Sequence, residues 1–262
     1  MVEIITVSNF KGGVGKSTFT ELFAYLLSTK YGKSVLVIDL DPQETVSDKL
    51  KRTFHKSDVE PQKKLLNSLM ENTIAESLIH LNENLDLING DWDMEQFDEF
   101  ITSTQSDEAR YYYIYTVLDE IKNNYDYILL DTRPSTGLST QNAICTSDYV
   151  IIPTNTEESS VKSAKKLYSN IASLVPYNEN IRLLGVLPYL ENPRGSTSIK
   201  IKEELKEIFE EDLYENTIRY SDRVVTWGKY GVTKDKPHDQ RTLHMYDLVC
   251  IETMERMKRL EA

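Results

Sequence analysis

Short apolar runs recur along the chain and alternate with longer segments in which apolar residues repeat at helical spacing. Six runs are nearly continuous in apolar character and rich in β-branched residues, which is typical of strands buried on both faces of a parallel sheet. They are Ile4–Val7, Val35–Ile38, Leu85–Ile88, Tyr127–Leu130, Tyr149–Ile152 and Leu183–Leu187. The alternation of strands and helices predicts right-handed crossovers and a doubly wound, mostly parallel α/β sheet with helices on both faces.

The segments between these runs are interpreted as helices. They are Lys16–Thr29, Ser106–Asn123, Glu157–Leu174, Ser198–Phe209 and about Gln240–Leu260. In the last segment, five apolar residues at helical spacing predict a face that packs onto the sheet. They are Leu243, Leu248, Ile251, Met254 and Met257. The more polar stretch Lys49–Leu81 is interpreted as helices that cover one end of the sheet. No Pro/Gly-rich linker interrupts the pattern, so we expect one domain over residues 1–262.

The charge and cysteine content narrow the classes of function. The 262 residues carry a formal net charge of −12, which repels nucleic acid and anionic membranes but leaves room for a local basic patch. The two cysteines, Cys145 and Cys250, lie far apart and form no CxxC pair, which argues against structural zinc and a disulfide framework. No apolar run approaches the ~20 residues of a membrane span. The segment MVEIITVSNF is too short and acidic for a signal peptide, so the cytoplasm is the expected compartment.

A glycine-rich string at residues 11–18, KGGVGKST, stands between the first predicted strand and the first predicted helix. This strand–loop–helix setting is the one that a phosphate-binding loop requires. Glycines let backbone N–H groups close around phosphate oxygens, and the helix N-terminus adds partial positive charge. We expect Lys16 between the β- and γ-phosphates, the Ser17 hydroxyl on Mg²⁺ and Thr18 beside the α-phosphate. The predicted cofactor-binding residues are Lys11, Gly12, Gly13, Val14, Gly15, Lys16, Ser17 and Thr18.

The string departs from the usual phosphate-loop pattern, because Phe10 stands where a glycine is usual and Lys11 precedes the paired glycines. With this second lysine it resembles the deviant Walker A box of the ParA/MinD ATPases. Residues 35–43 (VLVIDLDPQ) resemble the second acidic box of that family, and residues 127–135 (YILLDTRPS) resemble its Walker B strand and the following switch. Within the family, the chain is most similar to the short ParA-type partition ATPases.

Three carboxylates follow predicted strands and take roles from this resemblance. Asp39, Asp41 and Asp131 stand at strand carboxyl ends, where open α/β sheets bind ligands. Together they would repel a triphosphate unless a cation such as Mg²⁺ intervened. The resemblance implies that Asp131 holds Mg²⁺ through water and that Asp39 supports its outer shell, so Ser17, Asp131 and Asp39 form the predicted metal set. It also implies that Asp41 orients or activates the attacking water.

Lys11 is implied to reach across a two-fold dimer to the phosphates of the partner subunit. Its charge would stabilise the negative charge that develops on the transferred phosphoryl group, so ATP would link the two subunits. Lys11, Lys16 and Asp41 are thus the predicted catalytic residues. Arg133 stands where the family often has a proline. Its role is open between a phosphate contact, a switch contact, a carboxylate of the neighbouring subunit and a solvated loop position.

Three kinds of function share these boxes, and the favoured one is DNA partition. The resemblance to the ParA-type partition ATPases implies an ATP-bound homodimer that would bind DNA non-specifically and release it after hydrolysis, which a centromere-binding partition protein would stimulate. The resemblance also implies that basic residues late in the chain contact DNA. The candidates are Arg194, Arg223, Lys200 and Arg219, with Lys202 and Lys229 as neighbours. A MinD-like membrane-associated ATPase needs a basic amphipathic C-terminal helix, and residues 254–262 are short and mixed in charge, so no stable membrane association is expected. A P-loop metabolite enzyme would need a second-substrate pocket, for which the sequence carries no motif.

Overall fold

The computed structural model of the chain describes residues 2–191 and 195–261, which contain an eight-stranded sheet. The strands are β1 (Glu3–Val7), β2 (Val35–Asp39), β3 (Leu78–Asn82), β4 (Leu85–Ile88), β5 (Tyr127–Asp131), β6 (Tyr149–Asn155), β7 (Arg182–Glu191) and β8 (Ile218–Arg219). Their order in the sheet is β3-β4-β2-β5-β1-β6-β7-β8. Only the edge pair of β3 and β4 is antiparallel among these strands. The predicted doubly wound sheet is confirmed.

Helices cover both faces of this sheet. They are α1 (Lys16–Thr29), α2 (Thr45–Thr53), α3 (Leu65–Glu71), α4 (Phe97–Thr104), α5 (Tyr113–Leu118), α6 (Leu138–Thr146), α7 (Glu158–Leu174), α8 (Ser196–Phe209), α9 (Asp222–Tyr230) and α10 (Pro237–Glu261). Alternate residues of each central strand enter different cores. Ile5 and Val37 pack with α1 and α10, whereas Ile4 and Leu36 pack on the other face with α3 to α6. Burial on both faces explains the nearly continuous apolar runs.

The stretch predicted as one helix over residues 106–123 is broken in the structure. Only Tyr113–Leu118 is α-helical, and short 3₁₀ turns flank it on both sides. The Asn142 side chain accepts a hydrogen bond from the Ile114 backbone N–H (2.9 Å), and the Tyr111 ring stacks on Tyr177 with centroids 4.0 Å apart. These tertiary contacts involve a backbone N–H and an aromatic ring of the segment. They hold it in a conformation other than the continuous helix that was predicted.

The stretch Lys49–Leu81 contains a strand as well as the expected helices. The edge strand β3 alternates between buried Ile79 and Leu81 and exposed His80, and His80 Nδ1 lies 2.6 Å from Asp86 Oδ1 on β4. An edge strand with one polar face gives a weaker apolar signal than a central strand. The interpretation of this stretch as helices alone was therefore wrong.

The C-terminal helix α10 packs onto the sheet through a stripe that differs from the predicted one. Tyr246, Val249 and Cys250 are buried in the core beside α1. Met257 is also buried, whereas Leu248 and Ile251 are 38% and 36% exposed, so the prediction was wrong for those two residues. Polar anchors set the rotation of the helix. Asp247, for example, accepts hydrogen bonds from Lys30 Nζ (2.6 Å) and Tyr31 Oη (2.7 Å).

Candidate nucleotide-binding site

The carboxyl ends of β1, β2 and β5 meet at one edge of the sheet, because Asp131 is in register with both Val7 and Asp39. The loop after β1 leads directly into α1, whose first residue is Lys16. A cavity of about 320 Å³ opens here. It is lined by Gly12, Gly13, Gly15, Lys16, Ser17, Thr18, Asp41, Gln43, Thr45, Lys49 and Pro134. The structure therefore brings most of the predicted loop together with Asp41 around one cavity, while Val14 is fully buried in the protein.

Gly15 closes the loop in a conformation that only glycine adopts easily. Its φ is +94°, and an added Cβ would lie 2.1 Å from Cε1 of Tyr189. That ring cannot withdraw freely, because Tyr189 is buried and its hydroxyl shares a hydrogen bond of 2.5 Å with the hydroxyl of Tyr246. The sequence thus places glycine where both the backbone and the packing require it.

Gly15→Ala is expected to lower the free energy of unfolding by more than about 3 kcal/mol, since strain and overpacking add. Gly32→Ala is the matched control, because Gly32 also has a positive φ (+61°) but has no atom within 4 Å of the added Cβ. That control should cost only about 1–2 kcal/mol. Denaturant unfolding of the two variants measures the difference, and equal losses would contradict the packing role of Tyr189.

Lys16 lines the cavity, and the buried carboxylate of Asp131 acts on its charge. Lys16 is 6% exposed and donates a hydrogen bond to the Lys11 carbonyl oxygen (3.3 Å); burial lowers its pKa, while Asp131 and Asp41 counteract that shift. Asp131 is fully buried, and its Oδ1 accepts a hydrogen bond from the Thr20 hydroxyl (3.0 Å). Burial raises the pKa of Asp131, against the opposing effects of Ser17, Lys16 and Thr20.

The second carboxylate oxygen of Asp131, Oδ2, has no hydrogen-bond partner among the described residues. A buried carboxylate oxygen is normally satisfied, so this one fits a hydrated cation held beside the phosphate loop. No cluster of three His, Cys, Asp or Glu residues in the described ranges could hold a metal alone. The donor set of Ser17 and Asp131 suits Mg²⁺, which usually keeps several waters and takes further oxygens from phosphates.

Asp39 organises the loop between β2 and α2. It is fully buried, and its Oδ2 accepts hydrogen bonds from the Ser47 N–H (3.0 Å) and hydroxyl (2.8 Å). Its Oδ1 accepts the Asp41 N–H (3.1 Å). Burial and the neighbouring Asp131 raise its pKa, and the Ser47 contacts oppose them. Asp39 thereby positions Asp41, whose carboxylate borders the cavity; its predicted outer-shell role toward the metal stays a prediction.

Lys11 does not point into the cavity of its own chain. Its ammonium forms an ion pair with Glu157 and donates to the Ser159 hydroxyl (2.7 Å) at the start of α7. The Asn9 side chain accepts a hydrogen bond from the Lys11 backbone N–H (3.0 Å) and fixes this turn. The two lysines of the loop are therefore directed apart, with Lys16 toward the cavity and Lys11 toward the outer surface.

Arg133 contacts carboxylates of its own chain. Its guanidinium lies 3.2 Å from Glu95 and 3.6 Å from Asp98, and its side chain is 16% exposed. Asp98 also accepts hydrogen bonds from the backbone N–H groups of Leu138 (3.0 Å) and Ser139 (2.9 Å) at the start of α6. Arg133 therefore ties the segment after β5 to α4, an arrangement that the sequence did not indicate.

Sequence reasoning also missed Lys49 at the nucleotide cavity. It lies on α2, lines the cavity, and its ammonium donates to the Thr18 hydroxyl (2.5 Å). Lys49 is the sixth residue after the end of the segment that resembles the second acidic box, and it lies in a polar helix. Nothing in this local sequence indicated phosphate binding.

The candidate DNA contacts are dispersed over late elements of the chain. Lys200 on α8 and Arg219 on β8 are exposed, as is the neighbouring Lys229 on α9, whereas Lys202 is half-buried. Arg223 is paired with Asp239 (2.5 Å) and donates to Thr233 (3.1 Å), so it links α9 to the start of α10. Arg194 lies outside the described residues. These predicted DNA contacts therefore stay predictions.

Comparison with known proteins settles the family. A family model described as an AAA domain matches residues 2–183. The sporulation initiation inhibitor protein Soj of Bacillus subtilis is 32% identical over 234 residues, which cover 88% of this chain and 89% of Soj. The chain belongs to the ParA/MinD family of P-loop ATPases. The predicted family and enzyme class are confirmed.

Two solved structures share the fold of this ParA/MinD ATPase. A putative plasmid partition protein from Borrelia burgdorferi, bound to AMPPNP, has a TM-score of 0.77 and 25% identity, and the match covers 98% of each chain. Cobyrinic acid a,c-diamide synthase from Mycobacterium smegmatis, with bound ADP and magnesium, has a TM-score of 0.72 and 22% identity, with 88% of this chain and 93% of that enzyme covered. The second likeness shows the fold alone.

None of the helices in residues 2–191 and 195–261 combines the length and the apolar character needed to cross a bilayer.

Proposed function

We propose that this ParA/MinD ATPase is a DNA partition ATPase organised as one domain over residues 1–262. It binds ATP with Mg²⁺, dimerises on ATP and then binds DNA without sequence preference on the nucleoid. Hydrolysis, stimulated by a centromere-binding partition protein, releases it. The observation that carries the proposal is a phosphate loop around a cavity together with a second lysine, Lys11, whose ammonium is directed away from that cavity toward the outer surface.

The nucleotide part of the proposal rests on the donor set at the cavity. Lys16 and the glycine backbone supply positive potential for phosphates, and the unpartnered oxygen of Asp131 suits a hydrated Mg²⁺ near Ser17. When bound, Mg²⁺ would offset the negative charge of the phosphates beside these carboxylates. Asp41 borders the same cavity and is 9% exposed, which suits a group that orients the attacking water. The AMPPNP bound to the related Borrelia burgdorferi partition protein supports this choice of ligand.

Dimerisation on ATP follows from the direction of Lys11. Its ammonium is held outside its own cavity by Glu157 and Ser159, in an ion pair that is partly exposed and therefore weak. The triphosphate of a second subunit carries more negative charge than one carboxylate and would compete for this lysine. Each subunit would then complete the cavity of the other.

The DNA part of the proposal needs a local patch, because the whole chain carries a net charge of −12. Dimerisation would place two copies of each basic residue on one assembly, so ATP could switch on the affinity for DNA phosphates. Lys200 and Arg219 are the first candidates, since both are exposed, whereas the guanidinium of Arg223 is engaged by Asp239. The names of relatives support the choice of partition, including a chromosome-partitioning ATPase Soj of Treponema pallidum, 33% identical over 60% of this chain.

Binding of the protein to random-sequence duplex DNA tests this proposal. We expect binding with a non-hydrolysable ATP analogue and Mg²⁺, and none with ADP or without nucleotide. Raising the salt from about 50 to about 200 mM should weaken it by at least tenfold, because counterions are released from the DNA.

The double variant Lys200→Ala, Arg219→Ala should weaken DNA binding by at least about tenfold and leave ATP-dependent dimerisation unchanged. Lys166→Ala, which removes an exposed lysine of α7, is the matched control and should bind DNA like the wild type. Dimerisation on the ATP analogue without any DNA binding would overturn the DNA part of the proposal and leave the ATPase part standing.

A further inference from the structure

Lys49 is the second lysine that lines the phosphate cavity, beside Lys16 of the loop. It approaches from α2, on the side of the cavity formed by the segment after β2. Its ammonium donates to the Thr18 hydroxyl (2.5 Å), while Lys16 lies within the loop and Lys11 contacts Glu157. Lys16 and Lys49 are therefore directed to the cavity from two different elements, whereas Lys11 is directed to the outer surface.

The charge of Lys49 is not neutralised by a direct partner. Among the ion pairs within 4.0 Å in residues 2–191 and 195–261, none involves the Lys49 ammonium. The ammonium interacts electrostatically with Glu21, which lies one turn after Thr18 on α1, is 2% exposed and accepts a hydrogen bond from the Thr53 hydroxyl (3.2 Å). Burial raises the pKa of Glu21, and the ammonium of Lys49 counteracts this shift only in part. A lysine whose close contact is a neutral hydroxyl retains its attraction for an anion.

We propose that Lys49 binds the α-phosphate of the nucleotide. The inference rests on the nucleotide binding proposed above, in which Thr18 lies beside the α-phosphate because it follows the Lys-Ser pair of the loop. An ammonium within hydrogen-bond distance of the Thr18 hydroxyl, on the wall of the same cavity, can reach an oxygen of that phosphate. Lys49 is a positioning residue in this role, because the reacting bond lies at the other end of the triphosphate.

A contact at the α-phosphate has the same effect on the binding of ADP and of ATP. ADP and ATP both carry the α-phosphate, so Lys49 stabilises substrate, transition state and product alike. Such uniform binding raises the affinity for both nucleotides without accelerating the chemical step. Lys49 would therefore slow the release of ADP and lengthen the interval before the protein binds ATP again.

The Lys49→Met variant tests this role, because methionine keeps an apolar stem and removes the charge. We expect the dissociation constants of ADP and of a non-hydrolysable ATP analogue, measured with Mg²⁺ by fluorescent-nucleotide displacement, to rise by the same factor of about ten or more. The rate of ADP dissociation should rise by a similar factor. Lys49→Arg should restore most of the affinity, and Lys166→Met on the exposed side of α7 should not change it.

The outcomes separate this inference from the proposed function. If wild-type protein binds neither nucleotide, the proposed function fails. If wild-type protein binds both nucleotides and Lys49→Met binds them with the same affinities, the inference about Lys49 is overturned. If that variant differs from wild type only in a lower melting temperature, Lys49 serves only to offset the charge of Glu21. A loss confined to the ATP analogue would also overturn it, because it would place Lys49 at the γ-phosphate. Should Lys49→Met fail to fold, Lys49→Gln, which can still contact Thr18, supplies the same comparison.

Discussion

Asp41→Asn is expected to lower the rate of ATP hydrolysis by about a thousandfold, the middle of the range for losing a group that orients or deprotonates water. Affinity for a non-hydrolysable ATP analogue should stay within about threefold of wild type or become tighter, because the substitution removes a negative charge beside the phosphates. Single-turnover hydrolysis and equilibrium titration of the analogue measure the two effects. The variant should therefore accumulate in its ATP-bound state.

In this local structure, asparagine at position 41 keeps the hydrogen bonds of aspartate. The substitution removes only the negative charge and the basicity of the carboxylate. Asp41 Oδ1 accepts a hydrogen bond from the Gln43 N–H (3.0 Å), which the amide oxygen of asparagine can also accept. The Asp41 backbone N–H donates to Asp39 and is unaffected by the substitution. The loop between β2 and α2 should keep its conformation, so a loss of hydrolysis would report on the carboxylate.

Asp48→Asn is the matched control, because Asp48 is exposed in the first turn of α2 and does not line the cavity. It should hydrolyse ATP at the wild-type rate. A normal rate in Asp41→Asn would instead show that another group orients the water and would remove Asp41 from the catalytic set.

Features encoded by local sequence could be predicted closely. Helix α1 spans Lys16–Thr29 as expected, because the glycines before it and the strand β1 leave few places for it to begin. The gathering of Asp41 and Asp131 at one sheet edge followed from parallel strands, whose carboxyl ends all point the same way. In each case, a strand or helix and the few residues next to it are enough to make the prediction.

Features that depend on tertiary packing could not be predicted. Lys49 reaches the cavity because α2 packs beside α1. Arg133 contacts Glu95 and Asp98 where α4 packs against α6. Apolar periodicity also assigned Leu248 to the packed face of α10, although the rotation of that helix is fixed by polar contacts such as those of Asp247. A pattern of apolar residues does not reveal such anchors.

Lys11→Ala is expected to abolish ATP-dependent dimerisation and to lower hydrolysis by at least about a thousandfold, as does loss of a cationic finger supplied by a partner in other phosphoryl-transfer enzymes. The affinity of the monomer for ADP should stay within about twofold, because the Lys11 ammonium does not line the cavity of its own chain. Sedimentation velocity with the ATP analogue and Mg²⁺ measures the oligomeric state, and steady-state turnover measures hydrolysis.

The control variant for Lys11 is Lys162→Ala, which removes another lysine of this surface, paired with Glu158 at 2.6 Å on α7. It should leave dimerisation and hydrolysis unchanged, and both variants should melt within about 2 °C of wild type because exposed ion pairs contribute little stability. Lys11→Ala should impair dimerisation and hydrolysis without weakening nucleotide binding, whereas Lys49→Met should weaken nucleotide binding itself. If Lys11→Ala still dimerises on ATP and hydrolyses it at the wild-type rate, the outward lysine serves only Glu157, and the dimer must form through other contacts.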